Sequence, residues 1–185
     1  EKGGRNLATL GCAATVTPML GAMKDSRNVH IIVMGISGTG KATLAMKMGE
    51  KAGRPVLEAD GPGESREGIR EWLLAQNGSS IVAAHALTRE DRDFLSEVPG
   101  TVFFVHLYGT ADELADRGGH GVSKEQVQRE MAQLQRLESD EKGIQLDVCA
   151  DPDDLVAAAL SAAHFADKAY GCLLYTSDAA DDSLR

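Results

Sequence analysis

The run Val29-His30-Ile31-Ile32-Val33-Met34 stops at a glycine and leads directly into Gly35-Ile36-Ser37-Gly38-Thr39-Gly40-Lys41. An apolar stretch of β-formers ending in a glycine-rich turn reads as a buried parallel strand. The residues from Lys41 to about Ala52 read as the helix that follows. The turn has the spacing G-x-x-x-x-G-K, in which small residues let backbone N–H groups converge on a phosphate with no Cβ in the way. The helix aims the positive end of its dipole at the same anion, and Lys41 adds a full charge. Strand before and helix after is the context a phosphate-binding loop requires. Gly35, Ser37, Gly38, Thr39, Gly40, Lys41, Ala42 and Thr43 are therefore the candidate nucleotide-binding residues.

One position departs from the motif. The residue after Lys41 is Ala42, where a hydroxyl ordinarily meets a Mg²⁺ ion. Thr43 supplies the next hydroxyl and is the candidate metal ligand, although one step along a helix turns a side chain by about 100°.

The rest of the chain alternates. Val56-Leu57-Glu58 reads as a second strand and Ser65 to Gln76 as a helix with Ile69, Trp72 and Leu73 on one face. Ser80 to Ala84 reads as a third strand, and Thr88-Arg89-Glu90-Asp91 as a capping box opening a helix through Leu95. Thr101 to Leu107 is a fourth strand, and Thr110 to Glu113 opens a short helix. Ser123-Lys124-Glu125-Gln126 reads as a second capping box, before a helix with Val127, Met131 and Leu134 on one side. Ile144 to Cys149 reads as a fifth strand, and Asp153 as the cap of an Ala-rich helix ending near Ala166. Such alternation implies βαβ units. The expected fold is an α/β, P-loop NTPase-type three-layer α/β/α domain on a five-stranded parallel sheet.

That domain is placed at residues 29–168. Residues 1–28 read as an irregular extension. Residues 169–185 read as a non-native or disordered tail, because Gly171 to Asp182 resembles a translated sequencing-adapter sequence. The 185 residues carry a formal charge of −9, which argues against a nucleic-acid partner, so an anionic ligand must be held by local positive potential. Three widely spaced cysteines form neither a disulfide framework nor a zinc pattern, and the expected compartment is the cytoplasm. No apolar run approaches the roughly 20 residues of a membrane span.

From His30 to about Ala163 the chain resembles the bacterial gluconokinases, relatives of shikimate and adenylate kinases. The resemblance rests on Ile32 to Lys41, on Val56-Leu57-Glu58-Ala59-Asp60, and on Trp72-Leu73. It continues through Ala84-His85-Ala86-Leu87 with Arg92 downstream, Phe103 to Leu107, and Arg117-Gly118-Gly119-His120. It implies a transferase that uses ATP and Mg²⁺ to phosphorylate the terminal hydroxyl of D-gluconate. In that reading Lys41 neutralises the transferring phosphoryl group and Asp60 orients or deprotonates the sugar hydroxyl. Arg92 and Arg117 hold the sugar carboxylate or the phosphates, and the segment from about Arg117 to Ser123 forms a closing lid. The resemblance also implies a small-molecule substrate and a homodimer as the candidate assembly. Two departures fall in the acceptor half: the family has a longer segment between Asp60 and Trp72, and its Ser-Gln pair after the lid is Arg129-Glu130 here. With Ala42 they leave two alternatives open: a nucleotide-binding pseudokinase or regulatory module without turnover, and a P-loop kinase for another small acid.

Overall fold

The computed structural model describes residues 28–59, 65–85, 87–117 and 122–175. The expectations placed on residues 1–27, on Asp60, on the lid glycines with His120, and on residues 176–185 lie outside the described residues. In chain order the elements are β1 (Val29–Met34), α1 (Lys41–Ala52), β2 (Val56–Ala59), α2 (Arg66–Ala75), β3 (Ser80–Ala84) and α3 (Arg89–Ser96). They continue with β4 (Thr101–Tyr108), α4 (Ala111–Arg117), α5 (Lys124–Gln133), β5 (Gly143–Asp147) and α6 (Pro152–Tyr175). The five strands make one sheet, ordered β2-β3-β1-β4-β5, and every pairing is parallel. This is the α/β architecture expected from the alternation.

Strand alternation divides the core into two layers. Val29, Ile31 and Val33 of β1 face Leu44, Ala45 and Met48 of α1 and Val156, Ala159 and Ala163 of α6. Ile32 and Met34 face the other way, onto Ile69 and Leu73 of α2 and Leu95 of α3. All six residues of β1 are buried, which is why the strand reads as an apolar run broken only by His30 rather than as an alternating one. β5, at the edge, is only half covered. Among the described residues no helix is long and apolar enough to cross a membrane.

Three boundaries differ from expectation. β5 ends at Asp147 rather than Cys149, because the Asp147 carboxylate accepts the Cys149 N–H (2.8 Å) and turns the chain. The cap of α6 is Asp151, not Asp153: its carboxylate accepts the Asp153 N–H (2.8 Å), its carbonyl accepts the Leu155 N–H (2.9 Å), and Pro152 takes the first helical position. α6 then continues past Ala166 to Tyr175, since no proline interrupts it and alanine is the best helix former. The Thr88 box is reciprocal, Thr88 and Asp91 each accepting the other's backbone N–H. At α5 only half the box forms: Ser123 accepts the Gln126 N–H (3.1 Å), but the Gln126 amide reaches toward Ser37 and Glu130 instead.

β4 buries a histidine whose ring has no hydrogen-bond partner at either nitrogen. His106 is 0% exposed, and burial first, then the nearby Arg92 and Arg136 charges, push its pKa down to about 4. The unfolded chain takes up this proton near pH 6.5, while the folded chain refuses it until about pH 4. Stability is therefore lost as pH falls through that window, by about 3 kcal/mol at most from this group. His30, buried against Ser80, acts in the same direction. The expected outcome for His106→Leu is a shallower acid loss of stability than wild type between pH 6.5 and 4, measured by urea unfolding at several pH values.

Candidate active site

The carboxyl ends of β1, β3 and β4 converge where the strand order reverses direction, the usual ligand crevice of an open α/β sheet. β1 delivers the loop Gly35–Lys41 there, and α1 begins at its far end. Gly38 and Gly40 hold φ of 83° and 77°, values that a side chain disfavours. A Cβ on Gly38 would also run into the Leu114 carbonyl of α4. Thr39 is buried and its hydroxyl donates to the Ile36 carbonyl (2.8 Å), locking the turn. Gly40 caps α1 with no side-chain hydrogen bond, so no side chain competes with an anion at that helix end. Lys41 is 4% exposed, with its Nζ 3.4 Å from the Ile36 carbonyl.

Two cavities meet over this loop. One, of about 260 Å³, is lined by Ser37, Gly38, Gly40, Lys41, Ala42, Thr43 and Val122. The other, of about 280 Å³, shares Gly38, Gly40 and Thr43 and continues past Leu44, Lys47, Leu107, Arg117, Pro152 and Leu155. The first is a polar cradle and the second is walled largely by apolar side chains. Thr43 is exposed and stands where they join, whereas Ala42 packs partly against the core.

The two arginines part company. Arg117, at the end of α4, lines the second cavity and donates to the Val148 carbonyl. Arg92 is 1% exposed, and every donor of its guanidinium is used inside the protein. Nε and Nη2 grip the Glu141 carboxylate (2.5 and 2.8 Å). Nη1 donates to the Leu87 and Gln135 carbonyls (2.7 and 2.9 Å), and Nη2 also to the Arg136 carbonyl (3.2 Å). No donor remains for a sugar carboxylate. The sequence reading makes Arg92 a substrate ligand; here the residue ties α3 to the segment between α5 and β5. Asp60 is the residue after β2, which ends at Ala59 opposite Ala84 of β3, and it lies outside the described residues.

The structure adds residues that sequence reasoning did not place in the site. Glu130 of α5 reaches the phosphate loop: Ser37 donates its N–H (2.7 Å) and its O–H (2.9 Å) to the Glu130 carboxylate. Gln126 donates to the same carboxylate (2.9 Å), and His85, following β3, has Nε2 3.8 Å from it. Burial alone would raise the Glu130 carboxyl, but the Ser37 N–H, the Gln126 amide and the Ser37 hydroxyl together hold it below the usual carboxylate range. The only signal in the sequence was the replacement of a Ser-Gln pair by Arg129-Glu130. Pro152 and Leu155 carried no signal beyond following the last strand.

No protein-family model and no curated protein matches the chain. Solved structures do. A gluconokinase from Sinorhizobium meliloti 1021 is 26% identical with a TM-score of 0.67, over 80% of this chain and 98% of that one. A sugar kinase from Janibacter sp. HTCC2649 is 33% identical with a TM-score of 0.65, over 72% of this chain and 93% of that one. A shikimate kinase from Bacteroides thetaiotaomicron, at 15% identity and a TM-score of 0.52, shares the fold. Sheet order, loop and neighbours together define a P-loop small-molecule kinase. Within that class, the chain belongs to the gluconokinase-like P-loop kinases.

Proposed function

We propose that the chain is an ATP-dependent carbohydrate kinase acting on D-gluconate or a closely similar sugar acid, with 6-phosphogluconate as the product from gluconate. The observation that carries the reading is the pair of joined cavities over one glycine loop: a polar cradle beside Lys41, and a largely apolar slot leading away from it. The slot suits a nucleoside and the cradle its phosphates. The likeness to a gluconokinase and a sugar kinase supports the acceptor class.

In this reading the loop N–H groups and Lys41 take up the charge that develops on the transferring group. Arg117 flanks the nucleoside slot. Asp60 receives or orients the proton of the acceptor hydroxyl. Thr43 is the hydroxyl of the first turn of α1 that would help hold a Mg²⁺ ion, which would supply further neutralisation of charge.

A second reading is favoured by one observation: the side chain after Lys41 is a methyl packed partly against the core. A module that binds nucleotide without turnover fits that feature. The two readings separate in a coupled ADP-release assay with Mg·ATP, gluconate and a panel of small acids. Gluconate-dependent ADP release supports the kinase. Nucleotide binding with no acceptor-stimulated release supports the silent module.

A further inference from the structure

The phosphate loop already holds an anion that belongs to the protein. Ser37 gives both its backbone N–H and its hydroxyl to the Glu130 carboxylate, at 2.7 and 2.9 Å. A loop of this kind exists to present such N–H groups to phosphate oxygens. Gln126 and Glu130 lie four residues apart on α5, and the Gln126 amide holds the carboxylate in place (2.9 Å). His85 lies beyond it, at 3.8 Å.

The position of Ser37 says which phosphate meets this carboxylate. The apolar slot and the polar cradle share Gly38, Gly40 and Thr43, whereas Ser37 borders only the cradle. With a nucleoside in the slot, its phosphate chain runs through the shared residues first and reaches Ser37 last. The phosphates nearest the nucleoside are then accommodated with Glu130 in place. A terminal phosphate has to contest the Ser37 N–H and sit against a like charge in a partly buried setting, where repulsion is weakly screened.

We propose that Glu130 is a specificity-determining residue for the length of the phosphate chain, setting the nucleotide site to favour a diphosphate over a triphosphate until α5 shifts and the carboxylate leaves Ser37. The inference rests on the nucleotide reading of the loop given above. It assigns α5 a coupling role as well: the helix following the expected lid is fastened to Ser37 of the loop through Glu130, with Gln126 beside it, so a terminal phosphate is admitted only when that helix gives way.

The test is a calorimetric titration of the full chain, without acceptor, using Mg·ADP and a non-hydrolysable Mg·ATP analogue. Glu130→Gln keeps the size and one acceptor oxygen while removing the charge. Glu130→Ala, checked by circular dichroism, removes the contact altogether. The expected result is that both variants tighten the ATP analogue about tenfold or more relative to ADP, with ADP affinity little changed. An ADP-to-analogue ratio unchanged in both variants overturns the inference while leaving the nucleotide site standing. Failure of both nucleotides to bind, in wild type and variants alike, overturns the nucleotide reading, and this inference with it.

Discussion

Replacing Arg92 by alanine is expected to unfold the protein more readily without altering acceptor recognition. The guanidinium makes five hydrogen bonds, two of them to Glu141 and three to carbonyls of Leu87, Gln135 and Arg136. Its side chain is 1% exposed and that of Glu141 is 5% exposed. Removing it leaves three carbonyls without this donor and the Glu141 carboxylate with only the Glu138 N–H and the Arg89 guanidinium (3.6 Å) beside it, and breaking a buried pair in this way costs about 3–5 kcal/mol. That is a large share of a typical total stability of about 5–15 kcal/mol. Arg92→Lys is expected to recover little, because an ammonium cannot reproduce the planar fork. Urea unfolding measures the loss. In the fraction that folds, the KM for the acceptor is expected to stay at the wild-type value, whereas a residue binding the sugar carboxylate would raise it.

Arg92 also shows where sequence reading reached its limit. Its place in a charged helix, downstream of a family-like segment, is equally consistent with a substrate ligand and with a structural tie. The decision lies in Glu141 and in the carbonyls of 135 and 136, which are 43 to 49 residues away in the chain. Local periodicity carries no information about partners at that distance. The sheet was legible for the opposite reason. β1 and β4 are buried along nearly their whole length, so each shows as a nearly continuous apolar run with a glycine or turn at its end. The phosphate loop was legible because its backbone geometry demands particular residue types at fixed spacing. Glu130 was not, since a glutamate on a polar helix looks solvated until the fold brings Ser37 to it. The end of α6 was misjudged because alanine continues a helix as readily as it fills the interior of one.

Replacing Lys41 by alanine is expected to give the largest functional loss. The side chain is almost fully buried, at 4% exposed, and stands beside the cradle formed by Ser37, Gly38 and Gly40. In the proposed reading it is the charged partner of phosphates that the loop amides hold only through partial charges. Loss of a single neutral donor from such a site costs about 10²–10³ in rate, and loss of a full positive charge is expected to cost at least as much. Acceptor-dependent ADP release is therefore expected to fall about a thousandfold or more. Far-ultraviolet circular dichroism is expected to be unchanged, because β1 and α1 are held by the apolar contacts of Ile31, Val33, Leu44 and Met48 and not by the lysine. Lys41→Arg is expected to fail as well, the longer fork having no room in a turn closed by Thr39 and the Ile36 carbonyl.

These expectations share one premise, that the turn from Gly35 to Lys41 is a place for nucleotide phosphates. The most direct measurement is the thermal unfolding of the full chain with and without Mg·ATP. A ligand bound only to the folded state at a hundred times its Kd stabilises by about 2.7 kcal/mol, which raises the Tm of a domain of this size by about 5–10 °C. Such a rise in wild type, absent in Lys41→Ala, is the result predicted here. An unchanged melting curve for wild type at millimolar Mg·ATP and Mg·ADP would contradict the account at its root.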